Sequence, residues 1–307
     1  MFFAIAVATL ALVLAFNVFC SGPLYRLMGI WGTAATELGY AVLALAGASA
    51  MVMAARKKQK DGVDLLEIFS LRLPEPKAVI GGLLLVGASY FTAALYSNII
   101  TILFPTAATQ TVDRMQGILQ GNSLPAMVIC IALFPAICEE VVFRGVLQYS
   151  LQRHGTPRIA ILLTGVVFGL FHMDPIRIPV AAMTGIALCY ALYRSRSILV
   201  PMLMHFANNA VSAVLSAAVG DLEEISAEAL TQQIEQIEAM GLPSALLYMI
   251  SGAELTVFAL GLLTAGLALL EKKPGEALRK HWVTAAVLAA IILALGAGFI
   301  TVSVRAA

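Results

Sequence analysis

The sequence predicts an all-α, polytopic integral membrane protein with about nine transmembrane helices, and three observations carry that prediction. Hydrophobic residues make up 60% of the 307-residue chain, charged residues 12%, and the mean hydropathy is +0.91. A soluble domain has roughly 45–50% apolar and about 25% charged residues. The apolar residues fall into nine segments, at 2–19, 36–55, 77–104, 124–150, 158–173, 178–194, 197–219, 244–270 and 281–303. Most of these approach the roughly 20 residues needed to span a bilayer. Finally, basic residues alternate with the segments. Fourteen of the 19 Lys and Arg residues fall in one set of loops, around 56–60, 72–77, 153–158, 194–196 and 272–280.

That alternation sets an expected orientation. Basic loops face the cytoplasm, so the N-terminus is cytoplasmic and the C-terminus outside, in a multi-pass protein of the cell membrane. The opposite set of loops holds Arg26, Arg114, Arg177 and Arg305, and the 220–242 loop carries acids and no base. The net charge of +1 says nothing about partners, because placement matters more than the sum; the expected surroundings are the lipid bilayer, with no nucleic acid. The oligomeric state is not legible.

The elements follow in order. The first segment lacks a basic leader region and an A-x-A site before Cys20, which predicts a retained helix rather than a signal peptide. Residues 60–76 mix Leu65, Leu66, Ile68, Phe69 and Leu71 with charges and read as an amphipathic stretch on the cytoplasmic interface. The fifth and sixth segments are short and joined by Met173-Asp-Pro-Ile-Arg177, which suggests a tight hairpin. Residues 226–240 suggest a short surface helix outside. Cys20, Cys130, Cys138 and Cys189 form no C-x-x-C pair. Cys130 and Cys138 lie about 12 Å apart along one helix, too far to bridge. They read as small apolar residues.

Chemistry concentrates in the middle of the chain. Glu139-Glu140-Val-Val-Phe-Arg144 lies inside an apolar segment, where each charged group costs about 2.5 kcal/mol or more. At about 100° per residue, Arg144 lies about 40° from Glu140 and about 140° from Glu139. Glu140 and Arg144 therefore form an i,i+4 ion pair. Glu139 is left without an intrahelical partner, as suits a general base. Pro135, one turn earlier, is expected to kink this helix. Two later segments carry Phe168-x-x-x-His172 and His205-x-x-x-Asn209, each pair on one helical face. Measured along the helices from the basic loops, Glu139 is about 18 Å deep, His172 about 21 Å and His205 about 13 Å. These depths allow one shared layer, expected to open toward the cytoplasm.

A carboxylate and two imidazoles hydrolyse an amide by either of two routes. His172 and His205 hold zinc or another divalent metal, whose bound water Glu139 deprotonates. Alternatively Glu139 activates water directly, with Asn209 and a histidine stabilising the oxyanion. The spacing is not H-E-x-x-H, and the two routes stay open. The structural alternative makes each histidine a helix contact and the Glu–Arg pair a lock. Glu254, on the eighth segment, reads as such a contact. His154 and His281 sit in basic loops and read as solvated.

The ordered set E-E-x-x-x-R, F-x-x-x-H, H-x-x-x-N resembles the CPBP family, the CAAX proteases and bacteriocin-processing enzymes. The resemblance covers about 123–217. It implies a CPBP-type catalytic helix core and an intramembrane endopeptidase. Glu139 would be the water activator, with Glu140, Arg144, His172, His205 and Asn209 in the site. Some members are type II CAAX prenyl endopeptidases, which remove a tripeptide after a prenylated cysteine. Others are tied to peptide processing or bacteriocin immunity. The family is often labelled metalloprotease, and a metal-free glutamate mechanism is also argued for it. The expected substrate is a peptide or a membrane-anchored protein. The expected organisation is N-terminal helices and a basic loop over 1–122, the core over 123–217, and an acidic loop with two C-terminal helices over 218–307. The competing classes are a non-catalytic membrane scaffold or immunity protein of the same fold, and a proton-coupled transporter. Intact motifs favour the enzyme, and the lack of an internal repeat counts against the transporter.

Overall fold

The structure, a computed structural model, describes residues 1–58, 63–119, 121–220 and 244–271. The expected surface helix at 226–240, His281 and the ninth apolar segment lie outside these residues, as does the side chain of Glu254. Among the described residues the fold is all-helical. Helices α1 (Phe2–Met28) and α2 (Ile30–Lys57) form an antiparallel pair. They are followed by the short α3 (Leu65–Ile68), then α4 (Pro76–Leu103) and α5 (Pro105–Leu119). Next come α6 (Leu124–Gln152), α7 (Pro157–Phe171), α8 (Ile178–Ser195), α9 (Leu199–Gly220) and α10 (Ser244–Leu270).

Eight of these helices coincide with the first eight expected segments. Five are long and apolar enough to cross a membrane, and three contribute shorter apolar stretches at Pro157–Phe171, Leu199–Leu215 and Phe258–Leu270. The first two helices run further than hydropathy suggests. Polar residues such as Asn17 and Ser21 do not interrupt backbone hydrogen bonding. Only Gly29, at φ 59°, turns the chain, and its N–H donates to Tyr25 O at 2.8 Å. A left-handed turn at that point favours glycine.

Helix α5 departs from the hydropathy reading. Pro105 opens it, which suits a residue with no N–H to leave unpaired. It is amphipathic rather than apolar, so a search for spanning segments passes over it. The described part of the expected amphipathic stretch, from Val63 on, presents a buried and an exposed set of apolar residues. Asp64 caps α3 by accepting from Glu67 N at 2.8 Å. Val63, Ile68 and Phe69 are then buried in the largest core cluster, with Phe143 and Val146. The segment folds into the basic end of the bundle, leaving Leu66, Leu71 and Leu73 exposed.

Helix contacts rely on small residues, as expected where lipid offers no hydrophobic drive between helices. A Cβ at Gly169 would lie 2.7 Å from Ile178 O, and one at Gly165 2.6 Å from Ile186 N, so α7 and α8 meet backbone to backbone. Gly81 and Gly266 bring α4 and α10 together in the same way. Helix α6 carries π-type turns at Val128–Leu133 and Val141–Gln148, on either side of Phe134–Glu140. The wide turn before Pro135 takes up the missing N–H donor.

Candidate active site

The ion pair read from sequence is present and fully buried. Arg144 Nη1 donates to Glu140 Oε1 at 2.9 Å, and neither side chain is solvent-exposed. Arg144 Nη2 reaches across to α8 and donates to Gly185 O at 3.2 Å. The guanidinium stacks 4.5 Å above the Phe168 ring, a cation–π contact. One turn on, Gln148 Nε2 donates to Cys189 O at 3.0 Å. Thus Arg144 and Gln148, spaced four apart, tie α6 to α8, and Glu140 anchors the first of them.

The same Glu140 oxygen also holds His205, whose Nδ1 lies 2.9 Å away. A carboxylate on Nδ1 fixes the ring so that Nε2 is the atom presented elsewhere. That Nε2 lies 3.9 Å from Glu139 Oε2. Glu139 Oε2 itself is buried and has no hydrogen-bond partner. The two adjacent glutamates therefore live in different surroundings: Glu140 is held by a guanidinium and an imidazole, while Glu139 faces a cavity.

Phe168 is the wedge of the site. Its ring meets Phe143, His172 and His205 edge-on, at centroid distances of 5.1, 5.0 and 5.7 Å. His172 closes the last turn of α7, where Nδ1 lies 2.9 Å from Phe168 O. A carbonyl only accepts, so Nδ1 carries a hydrogen and Nε2 is the free nitrogen. Asn209 Nδ2 donates to Ile131 O at 3.1 Å on α6, and its Oδ1 accepts from Asn208 Nδ2 at 3.2 Å. Asn209 thereby keeps one amide hydrogen for the cavity.

Glu139, His172, His205 and Asn209 line a single cavity of about 810 Å³, together with Phe168 and Pro135. Glu140 and Arg144 stand behind this wall and support it. The cavity runs from these groups toward the α1–α2 turn and the α7–α8 connection, past Tyr25, Thr33, Ser97, α5, Met173 and Arg177. That is the end away from the basic loops, opposite to the expected side. The reason lies in the motif: below Glu139, the buried Glu140, Phe143, Arg144 and Gln148 fill the bundle.

Sequence reasoning missed Glu37. It sits on α2, is nine-tenths buried and lines the same cavity, and its Oε2 has no hydrogen-bond partner. Its signal was available as an acid flanking an apolar segment, with Tyr40 one turn on at the same wall. Gln148 was also missed, although it continues the four-residue spacing of Glu140 and Arg144.

The expected metal route needs a ligand set. Among the described residues, no three His, Cys, Asp or Glu side chains gather in a way that would hold a metal ion. Each histidine commits Nδ1 to a protein group and keeps Nε2 free, which suits a metal-ligating histidine as well as a metal-free one. As placed, the described side chains form no three-ligand centre.

Residues 121–211 match the family model described as type II CAAX prenyl endopeptidase Rce1-like, a family of membrane proteases. The matched interval contains every residue of the three motifs and stops before α10. No match is found among curated proteins or among solved structures.

Proposed function

We propose that this chain is an intramembrane endopeptidase that hydrolyses a peptide bond of a membrane-associated or short peptide substrate with glutamate-activated water. The observation that carries the reading is the contrast between neighbours. Glu140 Oε1 is held by Arg144 and His205 and its side chain stands behind the cavity wall, whereas Glu139 lines the cavity with Oε2 buried and without a hydrogen bond. A base held free beside a wet cavity is what water activation requires.

In this reading Glu139 takes one proton of the attacking water, and His172 Nε2 accepts a hydrogen bond from the other. The hydroxide adds to the scissile carbonyl carbon. Asn209 offers its remaining amide hydrogen to the oxyanion. The C–N bond then breaks, and the proton held by Glu139 passes to the leaving amine. His205, fixed by Glu140, stands beside Glu139 and keeps it in register. The sum is peptide plus water giving acid plus amine.

The experiment is a comparison of protein termini in membranes from cells making the wild type or Glu139→Gln. New termini that depend on the wild type support the reading. Identical sets of termini reject it.

A further inference from the structure

The end of the bundle from which the cavity is reached says where the substrate lies. The cavity draws its lining from the final turns of α1, the first turns of α2, the second half of α4, α5, and the connection between α7 and α8. All of these sit at one end of the bundle. Most of the described basic residues sit at the other: Arg56, Lys57 and Lys58 end α2, and Arg194 ends α8.

The basic end is also closed by packing. Phe69 presses on α6 so tightly that a Cβ at Gly145 would come within 2.4 Å of its ring. Ser70 O accepts from Ile198 N at 3.2 Å, Arg72 O accepts from the Ser197 hydroxyl, and Arg153 pairs with Glu67. Residues 63–72 thus stopper the bundle on the side that carries most of the positive charge.

Positive charge in short loops marks the cytoplasmic side. Of the 13 basic residues among the described ones, nine (Arg56, Lys57, Lys58, Arg72, Lys77, Arg153, Arg158, Arg194 and Arg196) belong to the stoppered end, against Arg26, Arg114 and Arg177 at the other. From geometry and charge together, we propose that the cavity takes its substrate from the extracytoplasmic side. The substrate class is then an extracytoplasmic juxtamembrane segment of a membrane-anchored chain, not a cytoplasmic prenylated C-terminus. At the mouth, Arg114 pairs with Asp174 at 3.1 Å and ties α5 to the α7–α8 connection, so α5 forms part of the rim a substrate passes. The substrate class rests on the endopeptidase reading; the side of access does not.

The test uses single cysteines in the full chain with Cys20, Cys130, Cys138 and Cys189 replaced by alanine. Right-side-out vesicles are treated with a membrane-impermeant maleimide before and after permeabilisation, and denatured samples give total thiol. Arg26→Cys marks the mouth end, Ser97→Cys the cavity wall and Lys58→Cys the stoppered end. The expected result is labelling of the first two in sealed vesicles, and of Lys58→Cys only after permeabilisation. Labelling of Lys58→Cys in sealed vesicles overturns the orientation. A Ser97→Cys variant silent in sealed vesicles, with Arg26→Cys labelled, overturns the access route. Labelling needs no turnover, so it stands apart from the loss of the endopeptidase reading itself. With the orientation established, wild-type-dependent termini should lie on extracytoplasmic segments, and termini confined to cytoplasmic segments overturn the substrate class.

Discussion

His205 and Glu140 are joined by a 2.9 Å contact between Nδ1 and Oε1, on the same carboxylate oxygen that receives Arg144. One buried oxygen thus organises two helices and leaves the outer face of the imidazole beside Glu139. This divides the site into a supporting layer, Glu140 and Arg144, and a cavity wall, Glu139, His172, His205 and Asn209.

Arg144→Ala should be the most damaging change to stability. It strands Glu140 in a dry interior and frees Gly185 O. Breaking a buried ion pair costs roughly 3–5 kcal/mol. Thermal unfolding in detergent should show a markedly lower midpoint for Arg144→Ala than for Glu139→Gln, which removes no direct hydrogen bond from Glu139 Oε2. Equal midpoints would contradict the supporting role.

Glu37→Leu should trade stability against activity. A buried carboxyl oxygen without a partner is costly, and an apolar replacement removes that cost. The melting midpoint should hold or rise, while cleavage falls because the cavity wall near Glu139 loses a polar group. A lower midpoint with full cleavage would show that Glu37 is only structural.

Gly169→Val should loosen α7 from α8 and move His172, which lies three residues on. Its Cβ would meet Ile178 O and Ala182 at 2.7 Å. Overpacking of this kind costs roughly 1–3 kcal/mol. Gly117→Ala meets nothing within 4 Å and serves as the neutral comparison. Measured side by side, the first should lose both stability and cleavage and the second neither.

Much of the fold and site was legible in the sequence for a physical reason. Charged groups are so costly in an apolar helix that Glu139, Glu140 and Arg144 stand out, and four-residue spacing alone pairs Glu140 with Arg144. The all-helical class follows from hydropathy. What was not legible depends on packing between distant helices. The side of the cavity is set by Phe69 seated against Gly145 and by Arg144 reaching Gly185, contacts that no local pattern encodes. Helix α5 escaped because it is amphipathic. Glu37 escaped because one acid at the edge of a segment resembles a loop residue until the fold turns it inward.

Removal of divalent metal should leave cleavage intact. Among the described residues no three-ligand set gathers. Protein stripped with a chelator and assayed in metal-free buffer should cleave at the untreated rate. Loss of cleavage on stripping, restored by zinc, would show that the water is activated on a metal.

The central claim is that Glu139 activates a water molecule for peptide hydrolysis. It is tested most directly with purified protein in proteoliposomes, given solubilised membrane proteins in water enriched in oxygen-18. The wild type should produce new C-termini carrying the heavy isotope, and Glu139→Gln, folded to the same melting midpoint, should produce none. Labelled termini formed equally by both proteins would contradict the account.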